Sequence, residues 1–270
     1  MSPDSPAVAE LILGRVPLII SLPHVGTTLP PDIAEQMTPV ATTLVDTDWH
    51  VEQLYDFARQ SGTSRLQAHV SRYAIDVNRP PDDHSLYPGQ TTSSLCPTST
   101  FAGEPLYAGS TPTAQEIGRR RDRYWIPYHA MLRELIEMTR ARFGYALLLD
   151  AHSIRSELPR LFPRRLPDIN VGTNDGKSCA STLSTSLTAV LNEQYRFSHV
   201  LNGRFKGGYI TRTYGSPVNH VHAVQIELAQ CGYMNESGTE YDPLIAQPLI
   251  SLLRLLVSEL LKFDPSNLQA

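Results

Sequence analysis

The alternation of short apolar runs with longer segments of helical periodicity restricts the fold of this chain more than any other feature. Turn residues bound the short runs, as is typical of buried strands. The predicted strands span residues 16–22, 66–70, 145–149, 199–201 and 223–228. The predicted helices span residues 51–60, 113–142, 178–193 and 243–262. Strands that alternate with helices predict an α/β fold, a three-layer sandwich with a mixed, mainly parallel sheet.

The chain shows no internal repeat and no change of composition, so we predict a single domain over residues 1–270. Residues 79–113 are rich in Pro, Ser, Thr and Gly and form a longer loop than is usual unless the loop is functional or disordered. The loop carries large apolar side chains able to anchor it: Leu86, Tyr87, Leu95, Phe101 and Tyr107. We therefore predict an ordered loop over an active site, with an unstructured insertion as the alternative.

Charge and cysteine content argue against several functions. A net charge of −4 and a pI near 6.1 provide no basic surface for nucleic acid or an anionic membrane, and we expect neither partner. The three cysteines have no CxxC spacing, which favours a reducing, cytoplasmic location. The first 26 residues lack a basic region and are interrupted by charges, so we expect no signal peptide there. The apolar segment 244–261 contains Arg254 and Glu259, which favours a packed helix over a membrane span.

Side chains capable of catalysis stand at or near the ends of the predicted strands. His24 follows the first strand, Asp150 and His152 follow the third, and Glu227 lies within the last. Ligands of open α/β sheets bind beyond the carboxyl ends of the strands. A single histidine of this kind is more often structural than functional, but the coincidence of several such residues favours a site.

His24 and His152 are the candidate nitrogen ligands of a metal. A hydrolytic zinc site commonly has two histidines, one carboxylate and an open position for water. The chain has no HExxH motif, and Thr27 stands three residues after His24. The carboxylate ligand must therefore come from elsewhere in the sequence.

The segment DTDWH, residues 46–50, supplies the nearest acidic candidates. We predict Asp48 as the third ligand and interpret Asp46 as a structural helix cap, with His50 as the alternative ligand. Asp150 and His152 point to the same face of a strand. Because a metal-bound histidine usually donates its other N–H to a carboxylate or carbonyl group, we expect Asp150 to orient His152.

The stretches SLPHVG, YAIDVNRPP, LLLDAHS, GGYITRTYG and VQIEL occur in this order along the chain. Over residues 17–234 they resemble the N-formylglutamate amidohydrolase family, which is itself similar to the zinc carboxypeptidases and aspartoacylases. The resemblance implies a zinc-carboxypeptidase-like α/β fold, one catalytic divalent metal ion with zinc expected, and hydrolysis of an N-acyl amino acid.

The resemblance also implies roles for individual residues. In the carboxypeptidase relatives a histidine closely followed by a glutamate supplies two ligands, and a later histidine supplies the third. His24 and His152 match the histidines, whereas Thr27 does not match the glutamate. The third ligand therefore stays open between Asp48, Asp46, His50 and Glu227.

The remaining catalytic parts follow from the same resemblance and from the chemistry of a formamide. Asn78 and Arg79 resemble a substrate-binding Asn-Arg pair, and Glu227 resembles the general base. A carboxylate beside the attacking water is needed to move its proton, and Arg79 is a cation suited to an oxyanion. The structural alternatives are an outward-facing strand residue for Glu227 and a surface ion pair for Arg79.

A dicarboxylate substrate requires further cations. Arg212 in GGYITRTYG is predicted to hold a substrate carboxylate, because an arginine fork matches a carboxylate. Lys206 and Arg155 are the alternatives.

The predicted function is the metal-dependent hydrolysis of N-formyl-L-glutamate to formate and L-glutamate in histidine degradation. One alternative is the same chemistry on another N-acyl amino acid or a small peptide. The other is a non-catalytic binding protein of the same fold, which metal content would distinguish from the enzyme.

Overall fold

Within residues 7–267, which this computed structural model describes, the strands form one seven-stranded sheet in the order β1-β3-β2-β4-β7-β5-β6. The strands are β1 (Ala9–Ile12), β2 (Leu18–Leu22), β3 (Ser64–Ala68), β4 (Ala146–Ile154), β5 (Ile169–Gly172), β6 (His199–Leu201) and β7 (Val221–Ala229). The central strands β3, β2, β4 and β7 are mutually parallel. β1 is antiparallel to β3, β5 is antiparallel to β7, and β6 is parallel to β5. The predicted mixed, mainly parallel sheet is confirmed.

Helices cover both faces of this sheet. They are α1 (Pro31–Ala34), α2 (Pro39–Thr42), α3 (Val51–Leu54), α4 (Phe57–Gln60), α5 (Ala114–Arg120), α6 (Ile126–Phe143), α7 (Ser181–Asn192), α8 (Tyr209–Tyr214) and α9 (Pro243–Leu261). A π-helical turn (Arg121–Trp125) joins α5 to α6, and 3-10 turns occupy Pro217–Asn219, Gln230–Gly232 and Pro265–Asn267. The long predicted helix is therefore continuous. It begins where the Thr113 side chain accepts a hydrogen bond from Glu116 N and ends at Gly144, whose positive φ of 82° suits glycine.

The two faces of the sheet build two apolar cores. Every position of β2, β4 and β7 is buried, as expected of parallel strands between two helical layers. Because neighbouring strand residues face opposite ways, Ile20 and Leu149 pack in the core with Leu253 of α9. Ile19 and Leu148 pack in the other core with helix α6. This arrangement is the predicted three-layer sandwich.

Helix α9 is long and apolar enough, by length and composition alone, to cross a membrane. In the fold it packs against the sheet through the expected apolar face, with these residues buried: Ala246, Leu249, Leu252, Leu253, Leu256, Val257 and Leu260. The sequence expectation of a packed helix is confirmed.

The register of the central strands sets the position of the site. Ser21 of β2 lies opposite Asp150 of β4, and His152 of β4 lies opposite Glu227 of β7. The strand β4 continues through Ile154, so Asp150 and His152 lie inside a strand that was predicted to end before them.

Residues 79–113 contain no helix or strand, only an isolated bridge between Ser99 and Pro105 and another from Tyr107 to Met37. Tyr87, Leu95 and Tyr107 are buried, whereas Leu86 and Phe101 are half-buried. The prediction of one domain also covers residues 1–6 and 268–270, which lie outside the described residues, and it stays a prediction.

Candidate metal centre and active site

His24, Asp48 and His152 meet near the carboxyl end of the central strands. One donor atom of each residue lies within 4.8 Å of the donor atoms of the other two. Asp48 Oδ2 is 3.1 Å from His152 Nδ1 and 3.6 Å from His24 Nδ1. All three side chains are buried. The three residues predicted as metal ligands are thus brought together by the fold.

The chemistry of these residues fits a divalent metal ion. His24 Nδ1 is buried and has no hydrogen-bond partner, although buried polar atoms are normally paired. Both histidines turn Nδ1 towards Asp48, while their Nε2 atoms contact other groups. Two imidazole nitrogens and a carboxylate oxygen suit zinc and several other divalent ions. The site is therefore a candidate centre for one metal ion.

Electrostatics hold Asp48 in its ionised form. Burial raises the pKa of this carboxyl group, but the hydrogen bond with His152 and the nearby imidazole of His24 outweigh burial and bring the pKa well below its ordinary value. An ionised carboxylate is the form that binds a metal.

Asp46, predicted as structural, is held by other contacts. Its Oδ2 atom accepts hydrogen bonds from Tyr73 Oη at 2.8 Å and from Phe101 N at 2.7 Å. The expected role as a helix cap is not what the fold shows, because the residue before α3 is His50. His50 Nε2 lies 2.6 Å from the carbonyl of Thr239, so this alternative ligand is bound to another segment.

A layer of carboxylates stands behind the two histidines. His24 Nε2 is 2.7 Å from Asp76 Oδ1, and His152 Nε2 is 3.1 Å from Asp150 Oδ1. Asp150 was expected in this position, whereas Asp76 was missed. Burial raises the pKa of Asp76, but the charges of His24 and Arg72 outweigh it and hold the pKa well below its ordinary value.

Asn78 links this layer to the beginning of α8. Its Nδ2 atom lies 2.9 Å from His152 Nε2 and 3.3 Å from Asp150 Oδ2, and its Oδ1 atom accepts from Ile210 N at 2.8 Å. Gly208 packs so closely that an added Cβ would lie 2.5 Å from Asn78 Nδ2. Only a glycine leaves room for this amide.

A cavity opens beside the histidines, and the sheet and the long loop both line it. His24, His152 and Glu227 face it, together with Asn78 and Gly208. The loop 79–113 contributes Arg79, Tyr87, Thr91, Thr92, Ser93 and Phe101. The loop therefore forms one wall of the cavity that adjoins the candidate metal centre.

Glu227 lies on β7 directly across from His152 and is buried. Gln225 Nε2 donates to its Oε2 atom at 3.2 Å. Burial raises the pKa of Glu227 to about 8, helped by the negative charge of Asp48 and opposed by His152. A carboxylate of raised basicity that faces a cavity has the properties of a general base.

Two arginines connect the cavity wall with the carboxylates. Arg72 was missed in the sequence, and it donates to Asp76 Oδ2 at 2.9 Å and approaches Asp48 Oδ1 at 3.5 Å. Arg79, a predicted catalytic residue, donates to Ser93 Oγ and lies 3.7 Å from Asp76 Oδ2. Both guanidinium groups line the cavity.

Arg212 lies close to the cavity but does not line it in the described part of the chain. Its Nε atom donates to the carbonyl of Gly207 at 2.7 Å, and its guanidinium lies 4.7 Å from the centre of the Tyr87 ring. The alternatives Lys206 and Arg155 do not line the cavity either. Substrate binding by Arg212 stays a prediction.

The sheet, the paired histidines and the buried glutamate together define a hydrolase of the α/β class with a candidate metal centre. Comparison with known proteins narrows this class. Residues 16–234 match the family described as N-formylglutamate amidohydrolase, and the chain belongs to that family. It is therefore an enzyme that acts on an amide.

Individual relatives agree with this assignment over nearly the whole chain. An N-formylglutamate deformylase of Pseudomonas aeruginosa is 52% identical over 92% of this chain and 94% of its own length. An N-formylglutamate deformylase of Pseudomonas putida is 49% identical over 95% of this chain and 96% of its own length. The crystal structure of an N-formylglutamate amidohydrolase from Ralstonia eutropha JMP134 is 28% identical, has a TM-score of 0.79, and covers 93% of this chain and 98% of its own.

Proposed function

We propose that this chain hydrolyses N-formyl-L-glutamate to formate and L-glutamate, as a step of histidine degradation in the cytoplasm. The observation that carries the proposal is the similarity, at about half of all positions, to two relatives named N-formylglutamate deformylase. The arginine-lined cavity supports it, because the substrate is a small dicarboxylate.

His24, Asp48 and His152 would hold one divalent ion, and we propose zinc from the nitrogen and oxygen donors. When bound, a metal ion in such a site polarises an amide carbonyl and lowers the pKa of water. Asp76 and Asp150 fix the two rings from behind, so that each Nδ1 atom stays directed towards Asp48.

Glu227 is proposed to take the proton of the attacking water and to deliver it to the nitrogen of the departing amine. The position of Glu227 opposite His152 in the neighbouring strand supports this role. The raised pKa matches a group that must accept a proton and later release it.

Arg79 and Asn78 are proposed to contact the substrate. Arg79 faces the cavity with a positive charge suited to an oxyanion or to the carboxylate nearest the reacting amide. Asn78 adjoins it in the wall and also holds the Nε2 side of His152. We also keep the proposal that Arg212 binds a substrate carboxylate, because its guanidinium lies 4.7 Å from the centre of the Tyr87 ring, and Tyr87 lines the cavity.

A substrate panel tests the proposed function. Formate release is measured with N-formyl-L-glutamate, N-acetyl-L-glutamate and other N-formyl amino acids, before and after treatment with a chelator. We expect N-formyl-L-glutamate to be preferred, chelation to abolish turnover, and one divalent ion per chain to restore it. Full turnover in metal-free protein, or preference for another N-acyl amino acid, would contradict the proposal.

A further inference from the structure

Arg204 lines the same cavity but contacts none of the three candidate metal ligands. Its Nη2 atom donates to the carbonyl of Thr91 at 2.9 Å, and its Nε atom donates to the carbonyl of Leu161 at 3.2 Å. The guanidinium is thus held between the long loop and the segment that follows β4.

Within the described part of the chain, Arg204 lacks the carboxylate partner that the neighbouring arginines of the cavity wall have. Of the three arginines in the cavity wall, Arg72 and Arg79 each pair with Asp76. Among residues 7–267, no carboxylate oxygen lies within 4.0 Å of the Arg204 guanidinium, and both acceptors of its hydrogen bonds are neutral carbonyls. Burial lowers the pKa of Arg204, and the charge of Arg79 acts in the same direction, whereas Tyr87 and the more distant Glu227 raise it. A partly buried cation without a carboxylate in direct contact is costly, and an anionic ligand would offset that cost.

Two aromatic rings fix the orientation of this guanidinium. It lies 5.6 Å from the centre of the Tyr87 ring and 5.3 Å from that of Phe205. Tyr87 is itself anchored, because its hydroxyl donates to the Gly207 carbonyl at 2.7 Å and accepts from Lys206 N at 3.1 Å. A planar cation fixed in this way is prepared for the paired oxygens of a carboxylate.

The position of Arg204 relative to Arg79 indicates which carboxylate it would bind. Arg79 lies 3.7 Å from Asp76, which contacts His24, so Arg79 belongs to the reacting end of the cavity. Arg204 contacts none of the three candidate ligands. In an N-formyl amino acid the α-carboxylate is close to the formyl group, and the carboxylate of an acidic side chain is several bonds farther away. We propose that Arg204 binds the side-chain carboxylate and so selects dicarboxylate substrates, an inference that rests on the proposed function.

The test compares N-formyl-L-glutamate with N-formyl-L-glutamine, whose side chain has the same shape but no charge. Both are assayed on the same samples of the metal-loaded wild type, Arg204→Gln, Arg204→Lys and Arg212→Gln. The matched control is Arg196→Gln, because Arg196 also stacks on the phenylalanine that follows it, Phe197, at 5.8 Å, but lies outside the cavity wall. A ratio of kcat/KM values from one sample is independent of the folded fraction.

We expect Arg204→Gln to lower kcat/KM for N-formyl-L-glutamate about 10- to 100-fold, the range set by a charged hydrogen bond, with little change for the glutamine analogue. The kcat/KM of Arg204→Lys for N-formyl-L-glutamate should lie between those of the wild type and Arg204→Gln. Arg196→Gln should keep the wild-type ratio of the two kcat/KM values. The inference would be overturned if the ratio were unchanged in Arg204→Gln, or if it fell in Arg212→Gln alone. Either result would leave the proposed deformylase function standing. If the wild type itself releases no formate from N-formyl-L-glutamate, the proposed function fails and the inference fails with it.

Discussion

Asp76 Oδ1 lies 2.7 Å from His24 Nε2, on the side of the ring opposite the candidate metal centre. The same carboxylate accepts hydrogen bonds from Arg72 Nη2 and from Asn78 N, both at 2.9 Å. Asp76 is completely buried, so its charge is compensated by these donors and by the guanidinium of Arg79, 3.7 Å from Oδ2. It therefore fixes the tautomer of His24 that leaves Nδ1 free to bind a metal.

Replacing Asp76 by asparagine should weaken metal binding. Loss of the carboxylate behind a metal-bound histidine typically lowers affinity about 10- to 100-fold, and we expect a change of that size in a titration against a competing chelator. Asp82→Asn is the matched control, because Asp82 makes the same 2.7 Å contact with an exposed histidine, His84. Equal metal affinity in Asp76→Asn and Asp82→Asn would remove Asp76 from the metal centre.

Replacement by asparagine should affect metal binding at Asp48 and stability at Asp46. Asp48→Asn is expected to lose most of its metal, because Asp48 is the carboxylate between the two histidines. Asp46→Asn should keep about one equivalent of metal but melt at a lower temperature, since it weakens the contacts with Tyr73 and Phe101. Metal analysis and thermal unfolding on the same preparations decide between them, and a reversed pattern would transfer the ligand role to Asp46.

The parts of the fold that could be predicted are those in which local pattern and burial agree. The apolar runs of β2, β4 and β7 are buried at every position, so composition alone reveals them. β1 is only four residues long and half-exposed, and β5 is equally short, so neither gives a clear signal. The predicted helix at residues 51–60 is divided into α3 and α4 at Tyr55 and Asp56.

The site residues that could be predicted from the sequence are those at the ends of strands. The residues that were missed reach the site through contacts between segments that are distant in the sequence. His24 and His152 stand at recognisable positions of the strand pattern. Arg72 and Arg204 have no such marker, because an arginine in a loop is most often a solvated surface residue. Asp76 offered a weak signal as a lone acidic residue between Ile75 and Val77 in an otherwise apolar stretch.

Protonation of His129 should destabilise the protein at acidic pH. It is buried in α6, where Nε2 lies 2.8 Å from the Val77 carbonyl and Nδ1 lies 2.8 Å from Tyr214 Oη. Burial lowers the pKa of His129 from 6.5 to about 4, whereas the unfolded chain keeps the ordinary value. The unfolded state therefore binds the proton first, so the part of the stability that depends on His129 is fully present above pH 6.5 and is lost as the pH falls towards 4.

Unfolding by urea at several pH values between these limits measures the effect. His129→Gln should be less stable at neutral pH, but its stability should fall less steeply with acid than that of the wild type. Across this pH interval, the contribution of His129 to the free energy of unfolding changes by an amount on the order of 3 kcal/mol. Parallel curves for the two proteins would show that His129 does not titrate in this interval.

Glu227→Gln should separate catalysis from metal binding. The variant keeps the size of the side chain and its ability to hydrogen-bond with Gln225, but it cannot accept a proton. General-base assistance is typically worth about 10²- to 10⁴-fold, so kcat for N-formyl-L-glutamate should fall by at least about 100-fold. KM should change little, because binding of the ground state is assigned to other residues of the cavity.

Metal content and stability of the same Glu227→Gln sample exclude the two other roles of this residue. A structural Glu227 would leave kcat per folded molecule unchanged, and its substitution would lower the free energy of unfolding instead. A Glu227 that binds the metal would lose the ion on substitution, and would then replace Asp48 as the carboxylate ligand. Because neutral glutamine removes a buried carboxylate whose pKa is raised to about 8, we expect unchanged or higher stability of the metal-free variant at neutral pH. Low kcat with full metal content and with unchanged or higher stability is the result that only a general base produces.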